Sequence, residues 1–327
     1  MGHLRILAAL FGTLIAVVLA LSILDWASLA RAVAQLSFSV LAAATTLSLL
    51  TTLLLSTRWS VLAASPNVLL GRREFRDALI SQVFNLITPA ATGADAYRVI
   101  IARDREGGRG RAAGLVILER IIGIGGYALV FVFCYAMAAA AYGHPPVVFS
   151  AAVSIFAVLA ALPFVTMFFA RLIASHKHLW LEARLPVTIK AVLAAVVGVL
   201  PARAAAALGL SILGAVMWLV CLMVLGSATE IGLDREVVGM IAIITEFSRL
   251  LPISFQGVGV REATFAFLAA QAGGSSEAAF AACAAAYALH FALVAAVAFA
   301  ARYGFDFLPR LTREAKQVAA QFVRGLR

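Results

Sequence analysis

The chain has 327 residues, of which 63% are hydrophobic and only 13% charged, where a soluble domain of this size is about one quarter charged. So much apolar surface cannot be hidden in one globular core, and lipid is the expected solvent. The net charge of +10 fits basic loops beside an anionic leaflet, while the aromatic–basic interleaving of a single-strand groove is missing, so nucleic acid is set aside as a partner.

Uncharged runs long enough to cross a bilayer occupy residues 6–24, 32–57, 121–141, 147–170, 204–229 and 278–301. The first is read as a retained membrane helix rather than a signal peptide, because Asp25 and Trp26 follow it in place of a small-x-small cleavage site. Base is concentrated in alternate connections. Arg58, Arg72, Arg73 and Arg76 follow the second run, and Arg98, Arg103, Arg105, Arg109 and Arg111 precede the third. Arg171, Lys177, Arg184, Lys190 and Arg203 separate the fourth from the fifth, and five basic residues fill the tail. Basic loops stay in the cytoplasm, so six spans predict both termini on that side. Residues 187–200, with Lys190 near their start, predict an interfacial cytoplasmic helix.

Two apolar segments are left over, residues 75–97 and 237–274. Each leaves one side and returns to it, and each is broken by Pro and Gly. They predict re-entrant helical hairpins, tolerated at membrane depth only where protein or a wet cavity covers the irregular backbone. Their breaks read "PAATGADAYR" (89–98) and "PISFQGVGVR" (252–261). Each starts with Pro (Pro89, Pro252), places Gly four or five residues on (Gly93, Gly257) and reaches Arg nine residues after the Pro (Arg98, Arg261). The flanking runs have opposite sense, the pattern of an inverted repeat whose interrupted helices mark a midplane site. The organisation expected is a single all-α polytopic membrane domain. Its first half is 1–170, its second 204–302, and a basic cytoplasmic tail covers 303–327.

Charges fall inside this apolar zone: Asp95, Arg98, Glu119 and Arg120, then Glu246, Arg249, Arg261 and Glu262. Facing lipid, each would cost about 2.5–3.5 kcal/mol on insertion scales. They must therefore pair, face a wet cavity or sit at the interface. Asp95 with Arg98 and Glu246 with Arg249 have the i,i+3 spacing of a helical pair. Arg261 and Glu262 are adjacent and need partners elsewhere. Guanidinium forks clamp phosphate, Gly257 and Gly259 admit close backbone approach, and inward half-helix N-termini would favour an anion. The competing reading is a salt-bridge network that only holds the hairpins.

Other signals are blander. Cys134, Cys221 and Cys283 lie in apolar runs with no metal or disulfide spacing. "SHKH" (175–178) reads as a solvated basic loop, and His290 as a helix-packing hydrogen bond. No nucleotide, nucleophile-elbow or metalloprotease motif occurs, so no cofactor or metal is expected.

"LPISFQGVGVRE" (251–262) resembles the signature of the flippase-like membrane domain of lysylphosphatidylglycerol synthases and their stand-alone relatives. "NLITPAATGADAYR" (85–98) resembles its first signature, and Glu119–Arg120 in "LVILERIIG" a further element. The resemblance covers most of the chain. It implies a multi-pass protein of the bacterial cytoplasmic membrane that moves lipid between leaflets, as a stand-alone member without the aminoacyl-transfer domain. Membrane lipids are the implied partners; a lipid-synthesis enzyme and a second copy are further candidates. Two alternatives stay open, a membrane-embedded transferase using Asp95 and Glu246 as acid and base, and an accessory protein whose hairpin charges are structural.

Overall fold

The computed structural model describes residues 24–64, 70–86, 88, 92–102, 108–143, 147–175, 187–250 and 254–303, with positions 14, 18 and 22. It is all-helical. The expected first span, 6–24, lies almost wholly outside these residues, as do Pro89, Pro252, the loop histidines and the tail beyond 303.

The second expected span begins later than its apolar run. A short helix α1 (Trp26–Ala34) starts at Asp25, whose carboxylate accepts from the amides of Ala27 and Ser28 at 3.3 and 3.0 Å. Helix α2 (Phe38–Ala63) starts at Ser37, whose hydroxyl accepts from the Val40 amide. The caps split the run because each satisfies amides that a continuous helix would have used internally. At its far end α2 passes the expected stop at 57 and carries Arg58 into the protein. Arg58 is therefore not a loop charge.

Helices α3 (Arg72–Leu86) and α4 (Gly93–Ile101) pack on each other as one hairpin. Helix α5 (Gly108–Tyr142) is 35 residues long, about 50 Å. Glu119 and Arg120 lie a third of the way along it. Helix α6 (Val147–Ser175) packs against α5, and α7 (Val187–Val197) packs against both. Small residues set the closest approaches, as expected where apolar tails give helices no hydrophobic reason to associate. A Cβ on Gly125 of α5 would fall 2.2 Å from Pro163 of α6, and one on Gly123 would fall 2.9 Å from the Arg58 guanidinium.

Helix α8 (Pro201–Ala228) lies along α2. Near its start, buried Arg203 donates to the carbonyl of Ala64 at 2.9 Å. That carbonyl stands at the end of α2, where helical acceptors lack partners. Arg203 also leaves the role of loop charge. A second hairpin follows, α9 (Arg235–Ser248) and α10 (Val260–Gln271), and then α11 (Ser276–Tyr303).

Five of the described helices are long and apolar enough to cross a membrane: Phe38–Ala63, Gly108–Tyr142, Phe149–Phe169, Pro201–Ala228 and Ser276–Ala301. Large apolar side chains such as Phe38, Phe133, Val158 and Phe168 point outward. Arg98, Glu119, Glu246 and Arg261 point inward and are buried. Apolar outside and charged inside is the arrangement a bilayer imposes.

Candidate functional site

The inward charges meet at a cavity of about 150 Å³, room for roughly ten waters. Helix α2 contributes Thr52 and Arg58, α3 Asn85, α4 Asp95 and Arg98, and α5 Glu119 and Arg120. From the other side come Glu246 of α9, Arg249 at its end, Gln256 of the 254–259 loop and His290 of α11. Residues from both hairpins thus share one wall.

Three ion-pair groups line it. Glu119 accepts from Arg58 at 3.0 Å through one oxygen and from Arg98 at 2.5 Å through the other. Arg58 also donates to Ser211 of α8 at 3.1 Å, and Arg98 to Ser81 of α3 at 3.0 Å while its guanidinium covers Trp59 at 4.6 Å. Asp95 accepts from Arg120. Glu246 pairs with Arg249 at 3.2 Å, the i,i+3 pair the spacing predicted, and accepts from the Tyr287 hydroxyl.

The other i,i+3 pairing does not form. Asp95 takes Arg120 and Arg98 takes Glu119, both across α4 and α5. Glu119 and Arg120 are neighbours about 100° apart on α5 and cannot meet each other. Were Asp95 to hold Arg98, Arg120 would lose this anion and Glu119 would keep Arg58 alone, which costs more than the local pair gains.

Helix ends are occupied as well. The Gly93 amide donates to Thr88 Oγ1 and the Ala94 amide to Asn85 Oδ1, each at 2.8 Å. A Cβ on Gly93 would fall 2.1 Å from the Phe84 carbonyl oxygen, so α4 begins pressed against α3. In the second hairpin Glu262 reaches back to accept from the Gly259 amide at 2.7 Å, half of a capping box. Three of the amides at these helix starts are therefore taken by side chains, and the charged groups on the cavity wall are side chains.

Arg261 and Glu262 are not on the cavity wall. Arg261 lies one layer behind it, 1% exposed, its guanidinium carbon 3.5 Å from the centre of the Tyr287 ring. Its Nε and Nη2 have no hydrogen-bond partner among the described residues. Gly257, with φ of +81°, and Gly259, with φ of +79°, shape the loop in front of it. Gln256 beside them holds φ of +49°, uncommon for a residue with a side chain, and its buried Oε1 has no partner among the described residues.

Sequence reasoning missed Arg58, Gln256 and the cavity position of His290. The signal for Arg58 was present. Ser48, Thr51, Thr52 and Ser56 recur at helical spacing along the second apolar run, and all four are buried. That polar seam runs on into Arg58. His290 does make the expected hydrogen bond, between its Nδ1 and the Ser48 hydroxyl at 2.9 Å, but it also lines the cavity. Nothing local marked Gln256, whose role depends on a loop closing over distant helices.

Several apolar helices around a buried cluster of charges, most of them in ion pairs, define a multi-pass helical membrane protein with an internal polar cavity. Residues 5–298 match the family described as lysylphosphatidylglycerol synthase TM region, and the chain belongs to that family. No curated protein and no solved structure matches it.

Proposed function

We propose that this protein is a lipid translocase of the bacterial cytoplasmic membrane, carrying a polar headgroup through the cavity while the acyl chains stay in lipid. The observation that carries this reading is the shared wall, in which Asp95 and Arg98 of one hairpin and Glu246 and Arg249 beside the other face the same space. Ionisable groups within membrane helices mark substrate paths, and paired interrupted helices are where transporters build midplane sites. The family description, which concerns a lipid synthase's membrane region, points to lipid as the substrate.

In this reading both hairpins are re-entrant, the two halves form an inverted repeat, and six spans put both termini in the cytoplasm. The buried arginines support the repeat. Arg98 and Arg261 stand at matching places in their hairpins, 4% and 1% exposed, and each covers an aromatic ring. Rocking of one half against the other alternates access. The Asp95–Arg120 pair, whose side chains are 21% and 37% exposed, is the most open of the three groups and the first to yield to an entering headgroup.

The test is leaflet exchange in proteoliposomes with a panel of labelled lipids and a native lipid extract. Exchange above protein-free vesicles is expected, with a loss of at least about tenfold in Asp95→Asn and Glu246→Gln. A folded, inserted protein that exchanges none of the lipids overturns the proposal.

A further inference from the structure

Resting on the translocase reading, we propose that the cavity selects a lipid whose headgroup carries net negative charge and rejects one whose headgroup is net positive. The charges on its wall do not cancel. Among the described residues Arg58, Arg98, Arg120 and Arg249 stand against Asp95, Glu119 and Glu246, four cations to three anions, an excess of one positive charge. The other titratable side chains that the described residues place on the wall are Tyr127 and His290, and neither ordinarily supplies an anion at neutral pH. Behind the wall, Arg261 and Glu262, which caps α10, add one charge of each sign and leave the excess unchanged.

The pairing sharpens the count. Every carboxylate on the wall holds a guanidinium, and Glu119 holds two. An ammonium headgroup would meet each carboxylate already neutralised by at least one arginine, and would sit beside that like charge at close range. A phosphate meets the opposite situation. Arg58 and Arg98 share one carboxylate, so one of their two charges has no anion of its own on the wall and favours a second anion. Unpaired charge at this depth is costly, and an anion that relieves it is bound where a cation is repelled.

Gln256 is an independent observation that the site is completed by something else. It is 4% exposed, its Oε1 has no partner among the described residues, and it lies on the cavity wall. A buried amide oxygen without a donor is costly to keep, and a hydroxyl on the incoming headgroup supplies one. The combination describes an anionic headgroup that carries a hydrogen-bond donor.

The experiment measures binding apart from transport. Purified full-length protein in a neutral detergent is titrated with dioctanoyl phosphatidate, dioctanoyl trimethylammonium-propane and inorganic phosphate, and thermal stability is read. The anionic lipid is expected to stabilise with a half-saturating concentration about tenfold or more below that of the cationic lipid. Gln256→Glu adds a carboxylate and cancels the excess, so the preference collapses. Equal or tighter binding of the cationic lipid overturns the inference, and so does a preference unchanged in Gln256→Glu. An equal shift from inorganic phosphate would assign the selection to a free anion and overturn the lipid assignment. Leaflet exchange of the same lipids separates the two proposals. A binding preference without exchange removes the translocase reading alone, and exchange without charge preference removes this one alone.

Discussion

Arg261 lies over the ring of Tyr287, its guanidinium carbon 3.5 Å from the ring centre, and the same tyrosine donates its hydroxyl to Glu246. One aromatic residue of α11 thus holds a cation of α10 and an anion of α9. The ring spreads the positive charge of a buried arginine that lacks hydrogen-bond partners on two of its nitrogens among the described residues. Tyr287→Phe keeps the ring and deletes the hydroxyl. It is expected to cost about 1–3 kcal/mol, the penalty for one unsatisfied buried acceptor, while Tyr287→Leu removes the ring too and costs more. Thermal denaturation in detergent orders the two variants, and equal stability of Phe and Leu would remove the stacking from the account.

Glu119 holds two arginines, and removing it differs from removing either of them. Glu119→Gln leaves Arg58 and Arg98 without an anion and is expected to cost about 3–5 kcal/mol. Arg58→Gln leaves Glu119 with Arg98 and is expected to cost about 1–3 kcal/mol. A double-mutant cycle on the two positions should show coupling of about 0.5–3 kcal/mol. Additive losses would mean that the 3.0 Å contact contributes nothing of its own.

Glycine positions divide by what surrounds them. A Cβ on Gly257, whose φ is +81°, would fall 2.9 Å from the Arg249 Cβ, and the left-handed backbone alone costs an L-residue about 1–2 kcal/mol. Gly257→Ala and Gly93→Ala are expected to disrupt their hairpins and lower the yield of folded protein. Gly209 in α8 meets nothing within 4 Å, so Gly209→Ala is expected to stabilise by about 0.5–1 kcal/mol. Size-exclusion profiles and melting curves of the three variants decide the matter; a destabilised Gly209→Ala would contradict the packing.

The Asp25 carboxyl is held below its ordinary 3.8 by hydrogen bonds from Ser28, side chain first, and from the Ser28 and Ala27 amides. A carboxyl lowered on folding contributes in full above its unfolded value and fades as pH falls through the folded one. The cap on α1 should therefore be intact from pH 7 to pH 5 and weaken only below 3.8. Amide exchange at Ala27 and Ser28 is expected to be fast in Asp25→Ala and constant, after correction for intrinsic rate, in wild type between pH 5 and 7. Loss of protection starting above pH 5 would rule the cap out as its source.

Cys134, Cys221 and Cys283 are free and buried. A charged maleimide should leave all three untouched in the native protein and label them on denaturation, as expected of small buried hydrophobes. Native labelling of any one would show a path to the interior that the packing does not contain.

The amino-acid sequence by itself determined the solvent, most of the long helices and the two segments in which the hairpins break. An excess of apolar residues has only lipid to meet, and helices satisfy their own backbone there, so runs such as 204–229 and 278–301 appear as α8 and α11 nearly as read. The Glu246–Arg249 pair was legible for the same reason, since one helix sets its spacing. Tertiary structure decided who pairs with whom across helices. It sent Asp95 to Arg120 and Arg98 to Glu119, drew Arg58 and Arg203 out of the loops, and turned Glu262 into a cap. Those choices follow from the cost of an unpaired charge away from water, which is settled only when all the charges are in place together.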